Sequence, residues 1–313
     1  MPQEHCRYCL MEITERAIKL STRDPTLQRK LLQELSEFIN AHFAKLKLPD
    51  ISTKIFRIIA KETGTKDPFL AIKKESNLYF LQIVPMIRKW LQDLDQQQCL
   101  NHLMLYSIAA NMVDFSTGGH TVNLSSMTNI LEEFPQEGLT INDFDELYTN
   151  IQNAQQIIYL SDNCGEVVVD NLVIEFLTSN LNKKVFLGLK GAPVANDCTL
   201  QDFTRDQLPP YATEIFPVSS SFGWNLHEST DYFKKLLVNA DLLIVKGQSN
   251  YETTLNNLVR HPNYSFPPIF CILRTKCKVI SDHLGAPLGS NIIKQMFPLT
   301  RKEKDSLTEI VDY

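Results

Sequence analysis

Two hydrophobic rhythms divide the chain near residue 150. Before it, apolar residues recur every three or four positions, which lines them up on one stripe of a helix. Residues 8–20 place Leu10, Ile13, Ala17, Ile18 and Leu20 on such a stripe. Residues 26–46 repeat it with Leu31, Leu32, Leu35, Phe38, Ile39 and Phe43, and residues 52–60 continue it with Ile55, Phe56 and Ile59. Pro68 predicts the start of a long helix that runs to Trp90, since proline is tolerated in a first helical turn. Another helix is predicted from Leu100 to Val113.

After residue 150 the period changes. Short apolar runs appear: IIYL (157–160), VFLGL (185–189), EIFPV (214–218), LLIVK (242–246) and PIFCIL (268–273). Runs of this length, apolar throughout, suit strands buried on both faces. Helical patterns fill the gaps at 167–181, about 200–207, 227–238 and 251–259. Strand–helix alternation predicts a parallel sheet with right-handed crossovers. In such sheets ligands sit beyond the carboxyl ends of the strands.

Composition narrows the function. The 313 residues suffice for two domains, read here as a helical one over 1–150 and an α/β one over 151–313. The net charge is -5, with no basic stripe, so no nucleic-acid partner is expected. Seven irregularly spaced cysteines suit a reduced compartment. No apolar run approaches the roughly 20 residues of a membrane span. The opening MPQEHCRYCLMEI lacks the basic-then-apolar order of a signal peptide. A cytoplasmic location away from membranes is expected; the oligomeric state stays open.

The polar residues of the second half cluster at the predicted strand ends. Ser161-Asp162-Asn163-Cys164-Gly165-Glu166 follows the first run, and Lys190 to Asp197 follows the second. Ser219-Ser220-Ser221 follows the third, and Lys246-Gly247-Gln248-Ser249-Asn250-Tyr251-Glu252 closes the fourth. Asp162, Asn163 and Asp197 offer the hard oxygen ligands that magnesium or manganese prefers. The Asp162-Asn163 pair could equally cap the next helix. Gly165 and Glu166 open that helix, whose free N–H groups attract phosphate. Lys246 can act as a point charge on phosphate oxygens, with Asn250 and Glu252 close behind. Asn111 and Asp114 share one face at the end of a helix that could meet the pocket. His227 is a candidate general base, and Cys6-x-x-Cys9 has zinc-knuckle or redox spacing.

The motif order resembles the damage-control phosphatase family, long catalogued as a domain of unknown function and also called acidic-residue-methyltransferase-like. SDNCGEVVVDNLVIEF, KGAPVANDCT, SSFGWNLHEST, ADLLIVKGQSNYETTL and RTKCKVISDHLG recur there in this order. The family patterns are similar to Asp162–Glu166 with Asp170, to Asn196–Thr199 with Asp202, and to Lys246–Glu252. The Asn111/Asp114 stretch resembles a further element, and Cys6-x-x-Cys9 resembles the cysteine pair of one family branch. Three small residues depart from the patterns: Cys164 stands for alanine, Ser249 for glycine, and Ala110 where glycine is common.

The resemblance implies a three-layer, doubly wound, mainly parallel Rossmann-like sheet domain beside a helical N-terminal domain. It implies a phosphatase of small phosphorylated metabolites, including sugar phosphates and damaged phosphoesters. It further implies a divalent ion (Mg, Mn, Co or Ni) at Asp162, Asn163 and Asp197. Asp162, Asp197 and Lys246 are then the expected catalytic residues. Asn111, Asp114, Gly165, Glu166 and Asn250 are expected to bind substrate or order water. Two rivals remain at this point. One is a methyltransferase using S-adenosylmethionine, against which stands the lack of a glycine-rich loop after the first run. The other is a non-catalytic phosphometabolite-binding protein.

Overall fold

The computed structural model describes residues 4–112 and 124–298. Five helices come first: α1 (Glu4–Ser21), α2 (Pro25–His42), α3 (Leu48–Thr63), α4 (Leu70–Trp90) and α5 (Gln96–Ala110). Their ends follow local rules. Asp24 accepts a hydrogen bond from Thr26 N at 2.8 Å ahead of Pro25, and Gly64 ends α3 at φ +73°. Asp95 and Gln98 form a capping box that starts α5 four residues before the first periodic leucine. Pro68 lies just upstream of α4 rather than inside its first turn; Asp67 Oδ1 accepts from Phe69 N at 3.0 Å and starts the helix there.

The rest of the described chain alternates strands and helices. In chain order it holds α6 (Leu124–Glu133), β1 (Ile141–Asn142), α7 (Phe144–Asn153), β2 (Gln156–Leu160), α8 (Glu166–Glu175) and β3 (Lys184–Leu189). Then come α9 (Leu200–Arg205), β4 (Glu214–Pro217), α10 (Asp231–Asn239), β5 (Leu242–Lys246) and α11 (Gln248–Arg260). The described chain closes with β6 (Ile269–Arg274), α12 (Lys278–Leu284) and β7 (Asn291–Phe297). The sheet order is β1-β7-β6-β5-β2-β3-β4. Every neighbouring pair is parallel except β6 with β7.

Period-2 alternation sorts each central strand onto two cores. Ile157, Tyr159, Leu242, Ile244, Phe270 and Ile272 face α4, α5 and α8. Ile158, Leu160, Leu243, Val245, Ile269 and Cys271 face α10, α11 and α12. Helices α1–α3 gather around a third core with Leu31, Ile39, Ile55 and Phe69. Helix α8 is buried almost all round between the sheet and helices α4 and α5, which is why its sequence is apolar on every face. No helix among the described residues is long and apolar enough to cross a membrane.

The topology fixes where ligands go. From β2 the chain winds outward through β3 to β4, then returns to β5 on the other side of β2 and moves on to β6. The direction reverses between β2 and β5. In sheets of this kind ligands bind beyond the carboxyl ends of the strands that flank such a switch point.

Candidate active site

The segments after β2 and β3 run antiparallel to each other as a short ladder. Cys164 N donates to Asn196 O at 2.9 Å and Cys198 N donates to Asp162 O at 2.8 Å. Asn163 and Asp197 are therefore direct partners across it. This pairing brings together residues 34 positions apart in the chain. The loop after β5 closes the third side. Gly247 there has φ +85°, and a Cβ on it would lie 2.0 Å from Asp162 Oδ2. Only glycine lets this backbone pass so close to the carboxylate.

The carboxylates are densely set and short of compensation. Asp162, Glu166, Asp170 and Asp197 are all buried. Burial, then the charge of Asp197, pushes Asp162 up to about 7, against the pull of Lys190 and Lys276. Glu166 is also pushed up to about 7, by burial first, although Lys246 opposes it. Asp197 is raised by burial against the pull of Lys190. Its Oδ2 has no hydrogen-bond partner among the described residues, and Lys190 Nζ stands 3.4 Å away. Lys190 offsets burial only in part, and a buried carboxylate oxygen without a hydrogen bond is costly. With the amide of Asn163 beside it, the donor set is one of hard oxygens that a divalent cation fits.

Amide groups lock the cluster. Asn111 Nδ2 donates to Glu166 Oε2 at 2.6 Å and to Asp162 Oδ2 at 3.3 Å. Asn163 Nδ2 donates to Asp162 Oδ2 at 2.8 Å and to Asn111 Oδ1 at 3.2 Å. Asn111 thus enters from the end of α5, as expected; Asp114 lies outside the described residues.

Three expected ligand-binding groups are committed elsewhere. The sequence predicts Lys246 as a charge aimed at phosphate. It is fully buried beneath the carboxylates, donating to Glu166 Oε1 at 2.6 Å, to Asp170 Oδ1 at 3.0 Å and to Ser107 Oγ. Burial alone would lower its pKa, but Asp170 and Glu166 more than reverse that and hold it charged. The sequence predicts Gly165 as an anion-binding amide. Its N–H instead donates to Asn77 Oδ1 at 2.6 Å, so helix α4 closes that corner. Asn250 spends its amide on Lys246 O at 2.7 Å and Ser161 O at 3.4 Å, tying α11 to the floor of the site. His227 meets His261 edge to face, with ring centroids 5.1 Å apart, away from these groups.

Other residues join that the motif reading left without a role. Lys276, just after β6, donates to Asn111 O at 2.6 Å and to Asn111 Oδ1. Lys190, at the end of β3, pairs with Asp197 and donates to Gly223 O. The strand-end rule points to both. Asp170 accepts from Tyr159 Oη at 2.8 Å, Ser161 Oγ at 2.5 Å and Ser107 Oγ at 2.5 Å. Ser107 and Asn77 come from the helical half, and nothing local in their sequence marks them.

Known proteins are similar to this chain across most of their length. The family model of the damage-control phosphatase ARMT1-like domain matches residues 3–292. An uncharacterized protein of Methanocaldococcus jannaschii is 27% identical over 291 residues, covering 92% of this chain and 93% of that protein. A damage-control phosphatase of Archaeoglobus fulgidus is 25% identical over 291 residues, 92% of this chain and 97% of that one. The crystal structure of a DUF89 family protein from Pyrococcus horikoshii superposes with a TM-score of 0.82 at 24% identity, over 94% of this chain and 98% of that chain. With a full-length fold match and the family's domain spanning nearly all of the described residues, this chain belongs to the damage-control phosphatase ARMT1-like family.

Proposed function

We propose that the chain is a metal-dependent phosphatase acting on phosphomonoesters of small metabolites, sugar phosphates or damaged phosphometabolites among them. The observation that carries the reading is the buried Asp197 carboxylate, whose Oδ2 has the Lys190 ammonium at 3.4 Å and no hydrogen bond among the described residues, on the segment paired with Asp162-Asn163. A divalent ion (Mg, Mn, Co or Ni) held by Asp162, Asn163 and Asp197 would supply positive charge to the phosphoryl oxygens and activate water. In this reading residues 151–313 carry the chemistry, and the mostly helical first 150 residues supply Asn111 and one wall.

The chain's own residues then divide the work. Lys276 and Lys190 bring cations to the edges of the carboxylate cluster, where phosphate oxygens would lie. Lys246 holds Glu166, and Glu166 holds the amide of Asn111. Asp162 would hold the ion as a carboxylate and stand beside the water that the ion activates, where it could accept that water's proton. Gly165 and Asn250 act as positioning groups. The test is phosphate release from an aryl phosphate, a set of sugar phosphates and a phosphodiester, each with manganese present. The reading expects release from monoesters and little from the diester. A folded protein that releases phosphate from none of them would overturn it.

A further inference from the structure

Cys164 and Cys198 each stand one residue beyond the candidate metal ligands, after Asp162-Asn163 and after Asp197. Both are buried free thiols. Their sulphurs and an Asp202 carboxylate oxygen lie within 4.8 Å of one another. The trio has donor types that suit a soft metal. Asp202, however, is already matched by cations: Lys73 Nζ is 2.8 Å from Oδ2 and Arg205 Nη1 is 2.9 Å from Oδ1. A metal ion there would face a buried ammonium at close range. What the cluster leaves available is two thiols within each other's reach.

We propose that Cys164 and Cys198 are a reversible redox pair whose oxidation to a disulfide pulls the metal ligands out of register. The ladder geometry carries the argument. Cys198 lies opposite Asp162 and Cys164 opposite Asn196, as their 2.8 Å and 2.9 Å hydrogen bonds show. The two cysteines are therefore diagonal neighbours on one face. Diagonal Cα atoms in such a ladder are roughly 7–8 Å apart. A disulfide needs about 4.4–6.8 Å. The bond forms only if the ladder shifts, and this ladder is what holds Asp162 and Asn163 against Asp197.

The chemistry balances with a hydroperoxide as oxidant. Two S–H bonds break and one S–S bond forms, releasing two electrons and two protons. Hydrogen peroxide takes both, its O–O bond breaks, and two waters leave. A dithiol returns the pair to the reduced state by exchange through a mixed disulfide. The effect on turnover rests on the phosphatase reading above; the cross-link itself does not.

The experiment uses the full chain, reduced and then treated with hydrogen peroxide. Three readings are taken: a peptide map under non-reducing conditions, manganese binding by calorimetry, and aryl-phosphate hydrolysis. The expected result is a linked peptide pair containing Cys164 and Cys198. Manganese binding weakens, and activity falls about a hundredfold, the scale of a 1 Å misplacement. Dithiothreitol restores both. Cys164→Ala, the residue of the family pattern, keeps its activity and resists peroxide; Cys198→Ser serves if that variant misfolds. A map without the linked pair overturns the proposal, as does linked protein that binds manganese undiminished. Peroxide sensitivity that survives in both variants would overturn it too. If the reduced protein were inactive on every ester, the phosphatase reading would fall, while the map and the manganese titration would still decide this one.

Discussion

Replacing Gly247 with alanine tests the closeness of the loop after β5 to the carboxylate centre. The added Cβ would stand 2.0 Å from Asp162 Oδ2 and 2.4 Å from its Cγ, where ordinary contact begins near 3.4 Å. The Asp162 side chain must move by more than an ångström or the loop must back away. Backbone conformation adds a second cost. At φ 85° and ψ 163° the residue occupies a region that is essentially reserved for glycine, worth of order 1–3 kcal/mol to any other residue. The variant should fold but lose about that much stability. Its kcat/KM should fall about a hundredfold, the usual cost of a 1 Å error in position. Denaturant unfolding and metal-supplemented phosphate release measure the two effects. A Gly247→Ala protein with wild-type kcat/KM would refute the claim that Asp162 and this loop define the site.

The remaining predictions concern the buried network. Lys246→Met leaves Glu166 and Asp170 as uncompensated buried charges and should cost about 3–5 kcal/mol by urea unfolding; Glu166→Gln in the same chain should recover part of it, and a loss below about 1 kcal/mol would contradict the network. Asn77→Ala orphans the Gly165 N–H and removes the partner 2.7 Å from Asp206 Oδ2. It should cost about 1–3 kcal/mol while leaving manganese affinity nearly unchanged. Asp162 and Glu166 sit at about 7 in the folded chain, above their ordinary 3.8 and 4.5. The folded state therefore binds more protons than the unfolded state between about pH 4 and 7. The stability they contribute to the metal-free protein is full below that window and lost as pH rises through it. Added manganese should raise the melting temperature more at pH 8 than at pH 5, and the opposite order would contradict the charge assignment.

The strands that the sequence shows most plainly are those buried on both faces, because burial on two sides leaves no polar position to interrupt the run. Strand β7 escapes notice for the converse reason. It pairs antiparallel with β6, and Lys294 and Gln295 are only half buried, which breaks its apolar run. Strand β1 is two residues long, too short for any period to register. The strand-end clustering points Asp162, Asn163, Glu166 and Asp197 to one edge of the sheet, since a parallel sheet delivers its loops there. Depth was not legible. Whether Lys246 points into the site or under it depends on Ser107 and Asp170 meeting it from α5 and α8, and no spacing near residue 246 encodes that. The same holds for Gly165, whose amide is taken by an asparagine 88 residues earlier.

The central claim is that Asp162, Asn163 and Asp197 hold the divalent ion on which phosphate-ester hydrolysis depends. Hydrolysis of an aryl phosphate by metal-stripped protein, with magnesium, manganese, cobalt and nickel returned separately, measures it directly in wild type, Asp162→Ala and Asp197→Ala. The account predicts activity that at least one metal restores in wild type and that neither folded variant recovers. Full activity in the stripped protein, or in the Asp162→Ala protein with metal, would contradict it.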